Sequence, residues 1–147
     1  GSKRRSEFVG TLKSGALLYD DYAHHPTEIK KTLEAFRNHF PNKKIVCIFQ
    51  PHTYSRTKSL FEQFSTSFDS IDVVILTNIY PSLREKPDST VSSELLAQKI
   101  RSLGKDVLFL PHLSDVLEYI HGQHFDENAV LISMGAGDVY KIWKRSL

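Results

Sequence analysis

The sequence has little of what marks secreted, membrane or nucleic-acid-binding proteins. Its 147 residues contain one cysteine, which excludes an internal disulfide, and no disulfide partner is expected. No apolar run approaches the roughly 18 residues that indicate a membrane span, and no signal peptide opens the chain. The formal net charge is only +2, with Lys and Arg scattered among acids. These absences predict a cytoplasmic protein that binds neither nucleic acid nor a membrane.

Complete nucleotide-binding and catalytic motifs are also missing. There is no "G-x-x-x-x-G-K-[ST]" phosphate loop, and "SMGAGD" (133–138) fails the dinucleotide pattern because Tyr140 stands where the third glycine belongs. We favour a packing turn for these glycines over a phosphate cradle. No Ser-His-Asp or Cys-His set is convincingly placed, and Cys47, inside "KIVCIF", is predicted to fill the core.

Short apolar runs alternate with amphipathic stretches along the chain. The runs predict strands at 7–12, 16–20, 44–50, 72–78, 106–110 and 129–134, and the stretches predict helices at 26–40, 56–69, 92–103, 114–123 and from Asp138 onward. We expect Ser114 to cap the fourth helix and the serine pair before 94 to cap the third.

Alternating strands and helices predict a three-layer, Rossmann-like α/β fold with a mostly parallel six-stranded sheet. The first two strands are separated only by "KSG", so they are predicted to form a hairpin, which adds an antiparallel N-terminal element. Residues 1–147 are expected to form one domain, in which residues 1–6 are a linker or tag remnant and "KRR" (3–5) is solvated.

Unusual polar residues follow the predicted strands where each one ends. They form the segments "DDYAHHP", "PHTYSRT", "IYPSLREKP", "PH" and "GAGD", whereas the strand starts resemble ordinary turns. In a parallel sheet the carboxyl ends share one edge, where ligands bind. We therefore predict a ligand site there. The long loop 79–90 beside it is expected to be functional or mobile.

Two of these segments carry the chemistry. The carboxylates of "DDYAHHP" could accept hydrogen bonds from sugar hydroxyls or hold a hydrated cation, and its histidines could donate to phosphate or carboxylate. His52 and Arg56 lie at a helix start, where a guanidinium binds anions with two parallel bonds. A surface turn with solvated histidines remains the alternative for the first segment, and exposure of Arg56 and Lys58 on a helix surface is the alternative for the second. Zinc is disfavoured, because His24 and His25 are adjacent rather than four residues apart.

The ordered blocks "KRRSEFVG", "DDYAHHPTEIKKTL", "FQPHTYSRTKSLFEQF" and "ISMGAGDVYKI" resemble the C-terminal domain of the Mur ligases of peptidoglycan synthesis. The resemblance implies the third domain of an ATP-dependent ligase. Its central domain would carry the phosphate loop, the magnesium ligands and the chemistry. ATP and Mg²⁺ are therefore the expected cofactors, and no catalytic residue is expected in this chain, which should be inactive alone.

Within the family, the paired "DDYAHHPTE" and "QPHTYSRT" blocks are typical of the member that joins L-alanine to UDP-N-acetylmuramate through an acyl phosphate. By this resemblance the site residues divide into two sets: Asp21 and His25 toward ATP, and Tyr22, His24, His52 and Arg56 toward the amino acid or the reacting phosphate. Many relatives carry a second arginine where this chain has Thr53, so carboxylate binding rests more heavily on Arg56.

Three other functions stay open at this point. The first is the sister ligase that attaches a recycled tripeptide to the same UDP-sugar, which has a similar "DD-aromatic-A-HHP" block. The second is a stand-alone nucleotide or amino-acid binding module. The third is a metal-dependent hydrolase that would use Asp21, His24 and His25.

Overall fold

The computed structural model describes residues 4–146, so Gly1, Ser2 and Lys3 of the predicted linker lie outside the described residues. The strands are β1 Glu7–Thr11, β2 Leu17–Asp21, β3 Lys44–Phe49, β4 Val73–Leu76, β5 Asp106–Phe109 and β6 Ala129–Met134. The helices are α1 Pro26–His39, α2 Tyr54–Ser59, α3 Phe61–Ser65, α4 Ser93–Ser102, α5 Leu113–Gln123 and α6 Ile142–Ser146, the last preceded by a 3₁₀ turn at Val139–Lys141. No helix in this part of the chain is both long and apolar enough to cross a membrane.

The strands form one six-stranded sheet in the order β1-β2-β6-β3-β4-β5. β1 runs antiparallel to β2, and every other neighbouring pair is parallel. The predicted fold class is therefore confirmed, including the antiparallel element at the N-terminal edge. The sheet places the carboxyl ends of β2, β6 and β3 side by side.

The helices cover the two faces of the sheet and give it two separate cores. On one face α1, α3 and α4 pack against strand residues that include Cys47, while α5 and α6 cover the other face. Cys47 is fully buried, and burial raises the pKa of its thiol far above the ordinary value. The prediction that this cysteine fills the core is confirmed.

The helix starts follow local hydrogen-bonding rules, with one correction. Ser92 caps α4 as predicted, since its side chain accepts a hydrogen bond from the Leu95 N–H. The prediction that Ser114 caps α5 is wrong. His112 is the capping residue, and its backbone N–H donates to the carboxylate of Asp115 at 2.9 Å.

The predicted continuous helix at 56–69 is also wrong. It begins two residues earlier, at Tyr54, breaks at Leu60 (φ −114°, ψ 21°) and ends at Ser65. Hydroxyl groups explain the interruptions, because serine and threonine side chains compete for helical carbonyls. Such bonds run from the side chains of Ser59, Ser65, Thr66 and Ser67 to carbonyl groups three or four residues earlier.

Arg4 is not solvated, so the prediction for the basic run is wrong at this residue. Its Nε lies 2.6 Å from a carboxylate oxygen of Asp20, which is 3% exposed, and a terminal nitrogen donates to the Gly135 carbonyl at 2.8 Å. Ser133 Oγ donates to the other Asp20 oxygen at 2.5 Å and accepts from the indole of Trp143 at 2.7 Å. This network joins the N-terminal segment to β2, β6 and α6.

We predict that Asp20→Ala lowers the free energy of unfolding by about 3–5 kcal/mol, because it leaves the Arg4 guanidinium and the Ser133 hydroxyl without their partner. Urea denaturation of the 147-residue chain measures this change. Asp69→Ala, which removes an exposed acid at the opposite edge, is the matched control and should leave the stability nearly unchanged. A loss below about 1 kcal/mol for the Asp20 variant would contradict the prediction.

Candidate functional site

Four aromatic or imidazole rings form a row across the carboxyl edge of the sheet. The ring centroids of Tyr22 and His24 lie 5.1 Å apart, and those of His24 and His52 lie 6.2 Å apart. Tyr80 continues the row by stacking on His52 at 5.8 Å with an interplanar angle of 14°. The structure thus brings together three predicted residues from the ends of β2 and β3, and it adds Tyr80, which sequence reasoning missed.

Arg56 joins this row through His52. Its guanidinium NH1 lies 3.2 Å from the Nδ1 of His52, and because arginine can only donate, that nitrogen accepts. The hydrogen of a neutral His52 therefore lies on Nε2. Among residues 4–146, Arg56 forms no ion pair with a carboxylate. The pair presents N–H donors only, which suits an anion.

The surroundings of His52 keep its imidazole neutral. Burial lowers the pKa of His52 below the ordinary value, and the charges of Arg56 and His24 lower it further, while Glu85 opposes them. At neutral pH His52 therefore adds no charge of its own beside the guanidinium of Arg56, which can bind a carboxylate.

His24 is held by two neighbours on its own segment. Its Nδ1 lies 3.1 Å from the Tyr22 carbonyl oxygen, which it can approach only as a donor, and 3.9 Å from the carboxylate of Glu28 one helical turn later. These contacts leave Nε2 of His24 for a ligand. The backbone carbonyl of Tyr22 thus helps to fix the His24 ring in the row.

A cavity of about 600 Å³ opens beside Arg56. Its walls come from the first turns of α2 and from the loop after β4, and they include Thr53, Ser55, Arg56, Ser82, Arg84 and Glu85. The long loop that the sequence predicted to be functional or mobile therefore supplies a wall. The loop residues themselves had no sequence signal beyond their position after a strand.

Thr53 adopts a backbone conformation that is rare for a β-branched residue, with φ +68° and ψ 145°. Three hydrogen bonds hold it: its N–H donates to the Tyr80 carbonyl at 2.8 Å, its hydroxyl accepts from the Arg56 N–H at 3.2 Å, and its carbonyl accepts from the hydroxyl of Thr57 at 2.7 Å. Backbone strain of this kind is common at functional sites.

Asp21 lies in a second, smaller cavity of about 260 Å³. Its carboxylate accepts hydrogen bonds from the Ser6 N–H at 2.7 Å and the Ala23 N–H at 2.8 Å, and the side chain is 5% exposed. The cavity wall also includes the cations Arg5 and Lys31, which sequence reasoning missed. The contact between Asp21 and the ATP ribose stays a prediction.

His25 has a structural explanation that needs no ligand. It is the capping residue of α1: its Nδ1 accepts from the Thr27 N–H at 3.4 Å, and its own N–H donates to Glu28 at 3.3 Å. Its predicted place on the nucleotide side remains a prediction.

The glycines of "GAGD" are explained by packing, as we expected. Gly135 has φ +145°, and a Cβ there would lie 2.7 Å from the Gln50 carbonyl oxygen. A Cβ on Gly137 would lie 2.5 Å from Gln50 Oε1 and 2.7 Å from the Tyr80 ring. Both positions therefore exclude a side chain because Gln50 and Tyr80 fill the space.

Within the described part of the chain, no group of three or more His, Cys, Asp or Glu side chains could hold a metal ion. The structure offers no ligand set for the metal-dependent hydrolase.

Comparison with known proteins was consistent across sequence and structure. The family model described as "Mur ligase, glutamate ligase domain" matches residues 4–137. UDP-N-acetylmuramate–L-alanine ligase of Caldanaerobacter subterraneus subsp. tengcongensis is 44% identical over 147 residues, which make up 100% of this chain and 31% of that protein. The enzyme of the same name from Clostridium novyi is 46% identical over 142 residues, covering 97% of this chain and 30% of the relative. The chain thus spans about a third of these relatives.

Solved structures show the same fold. The UDP-N-acetylmuramate–alanine ligase of Thermotoga maritima superposes with a TM-score of 0.76 at 30% identity, covering 97% of this chain and 28% of that one. A murein peptide ligase from Psychrobacter arcticus gives 0.75 at 21% identity, with coverage of 97% and 29%. At that identity the second likeness concerns the fold alone.

We predict that His52 titrates below the ordinary histidine pKa of 6.5, and that Arg56→Ala moves its pKa upward by removing a neighbouring positive charge. Imidazole NMR over a pH series measures both. Lys86→Ala, which removes an exposed cation from the loop, is the control and should change the pKa of His52 less. Because the folded state disfavours protonated His52, its contribution to stability is full above pH 6.5 and declines as the pH falls below that value. Titration of His52 at or above pH 6.5 would contradict the prediction.

Proposed function

Because the chain belongs to the Mur ligase family and corresponds to its C-terminal domain, we propose that it binds the amino acid and part of the ATP in an enzyme that joins L-alanine to UDP-N-acetylmuramate. Two relatives at 44% and 46% identity carry that activity in their names. The chain covers about a third of them, so the remaining two-thirds of such an enzyme would supply the other domains. The enzyme acts in peptidoglycan synthesis in the cytoplasm.

The proposed reaction uses ATP to activate the lactyl carboxylate of the UDP-sugar as an acyl phosphate, which the amine of L-alanine then attacks. The phosphate loop is expected in the remainder of the enzyme, because the sequence of this chain contains none. The task that we assign to the chain's own residues is to bind and orient the amino acid, part of the ATP and the reacting phosphate. Holding the amine close to the acyl carbon converts a bimolecular step into an effectively intramolecular one.

The observation that carries this proposal is the pairing of Arg56 with a neutral His52. Both side chains have N–H groups to donate, and Arg56 has no carboxylate partner in the described residues. An amino-acid carboxylate would bind the Arg56 guanidinium, and the Nε2–H of His52 is a further donor for the ligand. Tyr22 and His24, next in the ring row, would form the wall around a side chain as small as a methyl group.

The smaller cavity fits a share of the nucleotide. Asp21 lies in its wall with two cations, Arg5 and Lys31, on the same surface. A carboxylate accepts hydrogen bonds from ribose hydroxyls, and the cations match phosphate oxygens. Asp21 would keep its backbone partners and accept the hydroxyl in addition, because each carboxylate oxygen has two lone pairs.

Magnesium would be held elsewhere in the parent enzyme, where it would neutralise phosphate charge. The described residues of this chain include no cluster suited to it. In this proposal the two parts of the enzyme have different tasks. This domain offers cations and neutral donors, and the remainder of the enzyme supplies the metal ligands.

The test of the proposed function is phosphate release by the full-length parent enzyme with ATP, magnesium and UDP-N-acetylmuramate. We expect release that depends on L-alanine. Release that depends only on the stem tripeptide would assign the chain to the recycling ligase instead. No release with either, from folded protein, would favour a stand-alone binding module.

In the parent enzyme, Arg56→Ala should weaken the use of alanine by about 2–5 kcal/mol, because it removes a charged hydrogen bond to the substrate carboxylate. Steady-state kinetics with varied alanine measures the loss in kcat/KM. Lys58→Ala is the matched control, since Lys58 is a cation on the same helix that pairs with Asp88 away from His52. Equal alanine dependence in wild type and the Arg56 variant would remove Arg56 from the site.

A further inference from the structure

The carboxylate of Glu85 is inserted against the first turn of α2. One oxygen accepts hydrogen bonds from the Tyr54 N–H at 2.7 Å and the Ser82 N–H at 3.3 Å, and the other accepts from the Ser55 N–H at 3.3 Å. Glu85 is 31 residues from Tyr54 in the sequence, so the contact joins two distant segments. It connects the loop after β4 to the helix that carries Arg56.

Glu85 completes the hydrogen bonding of a helix start that otherwise lacks partners. The first four N–H groups of a helix have none within the helix. At α2 these are the N–H groups of Thr53, Tyr54, Ser55 and Arg56. That of Thr53 donates to the Tyr80 carbonyl, and that of Arg56 donates to the Thr53 hydroxyl. Glu85 takes the other two. Without it, the N–H groups of Tyr54 and Ser55 would have no protein partner among the described residues.

The same loop is fastened a second time, at Tyr80. The Tyr80 N–H donates to the Pro51 carbonyl and the Tyr80 carbonyl accepts from the Thr53 N–H, both at 2.8 Å. The Tyr80 ring stacks on His52. His52 and Arg56 therefore lie between two points of attachment, Tyr80 on the strand side and Glu85 on the helix side.

The charge of Glu85 suits this task. Burial raises its pKa, but the hydrogen bonds from the backbone of Tyr54, Ser82 and Ser55 outweigh burial and hold the pKa below the ordinary value. The carboxylate is thus anionic at neutral pH. It forms no ion pair with Arg56 within residues 4–146, so the guanidinium stays available to a ligand.

We propose that Glu85 is a positioning residue of the amino-acid site: it fastens the loop after β4 to the first turn of α2 and so fixes Arg56 and the stacked His52 for the ligand. This inference rests on the proposed function. It goes beyond that function because Glu85 acts through other residues rather than on the substrate.

In the full-length parent enzyme, Glu85→Ala should raise the KM for alanine by about tenfold, because the two charged hydrogen bonds to the start of α2 are lost, while kcat stays within about twofold. Glu85→Gln should raise it less, since an amide oxygen still accepts the Tyr54 N–H. Asp88→Asn is the matched control. It removes a carboxylate from the same loop that pairs with Lys58 rather than with the start of α2, and its KM should equal that of wild type.

A KM for alanine that is unchanged in Glu85→Ala, or raised as much by Asp88→Asn, would overturn the proposal. So would a fall in kcat with no change in KM. These kinetics require that wild type uses alanine, and its failure to do so would instead count against the proposed function.

Amide hydrogen exchange on the 147-residue chain distinguishes a failure of the positioning role from a failure of the proposed function. Glu85→Ala should speed exchange at Tyr54 and Ser55 and leave the core strands protected, whereas Asp88→Asn should not. Unchanged exchange at both amides would overturn the positioning role whatever the enzyme's substrate is.

Discussion

Two buried carboxylates at the end of β2 are the constraint on which the rest of the site depends. Asp20 and Asp21 are 3% and 5% exposed, and a buried anion is tolerated only where donors surround it. Asp20 takes a guanidinium and a hydroxyl, and Asp21 takes backbone N–H groups. These hydrogen bonds bring the N-terminal segment, β6 and α6 to the same edge of the sheet, next to the ring row.

Arg4 links that constraint to the ligand side. While it pairs with Asp20, its guanidinium also lies 4.6 Å from the ring centroid of Tyr140 and 5.4 Å from that of Tyr22. The first ring of the row is therefore supported by a cation that a buried carboxylate holds in place. The opposite end of the row, at His52, is supported differently, by a stacked ring and a neighbouring helix start.

Structural features that follow from repeating sequence patterns could be predicted, whereas contacts between distant segments could not. Apolar runs located the six strands, and polar residues after strand ends located the edge where Tyr22, His24 and His52 meet. The periodicity of apolar residues did not reveal the break at Leu60, because side-chain hydroxyl groups that bond back to helical carbonyls interrupt the helix. Similarly, nothing near residue 4 indicates that its partner is a carboxylate sixteen residues later.

Glu85 illustrates the same limit at the site itself. Its loop stood out by length and by its place after a strand, but an acid in a charged loop is ordinarily solvated. Only the fold shows that the start of α2 needs an acceptor at that point, since the Thr53 hydroxyl and the Tyr80 carbonyl satisfy two of its four amides. The family resemblance predicts His25 and Asp21 on the nucleotide side, and the structure adds that His25 caps α1 and that the buried carboxylate of Asp21 accepts from backbone donors.

Each of Asp20 and Asp21 takes one of its donors from residues that precede every element of regular secondary structure. Arg4 and Ser6 lie before the first strand, which starts at Glu7. The folding unit therefore extends further than its secondary structure. A domain boundary drawn at the first strand would keep every strand and helix, yet it would cut away a donor from each of two interior charges. For this fold, the place to trim a chain is decided by electrostatics rather than by where the sheet starts.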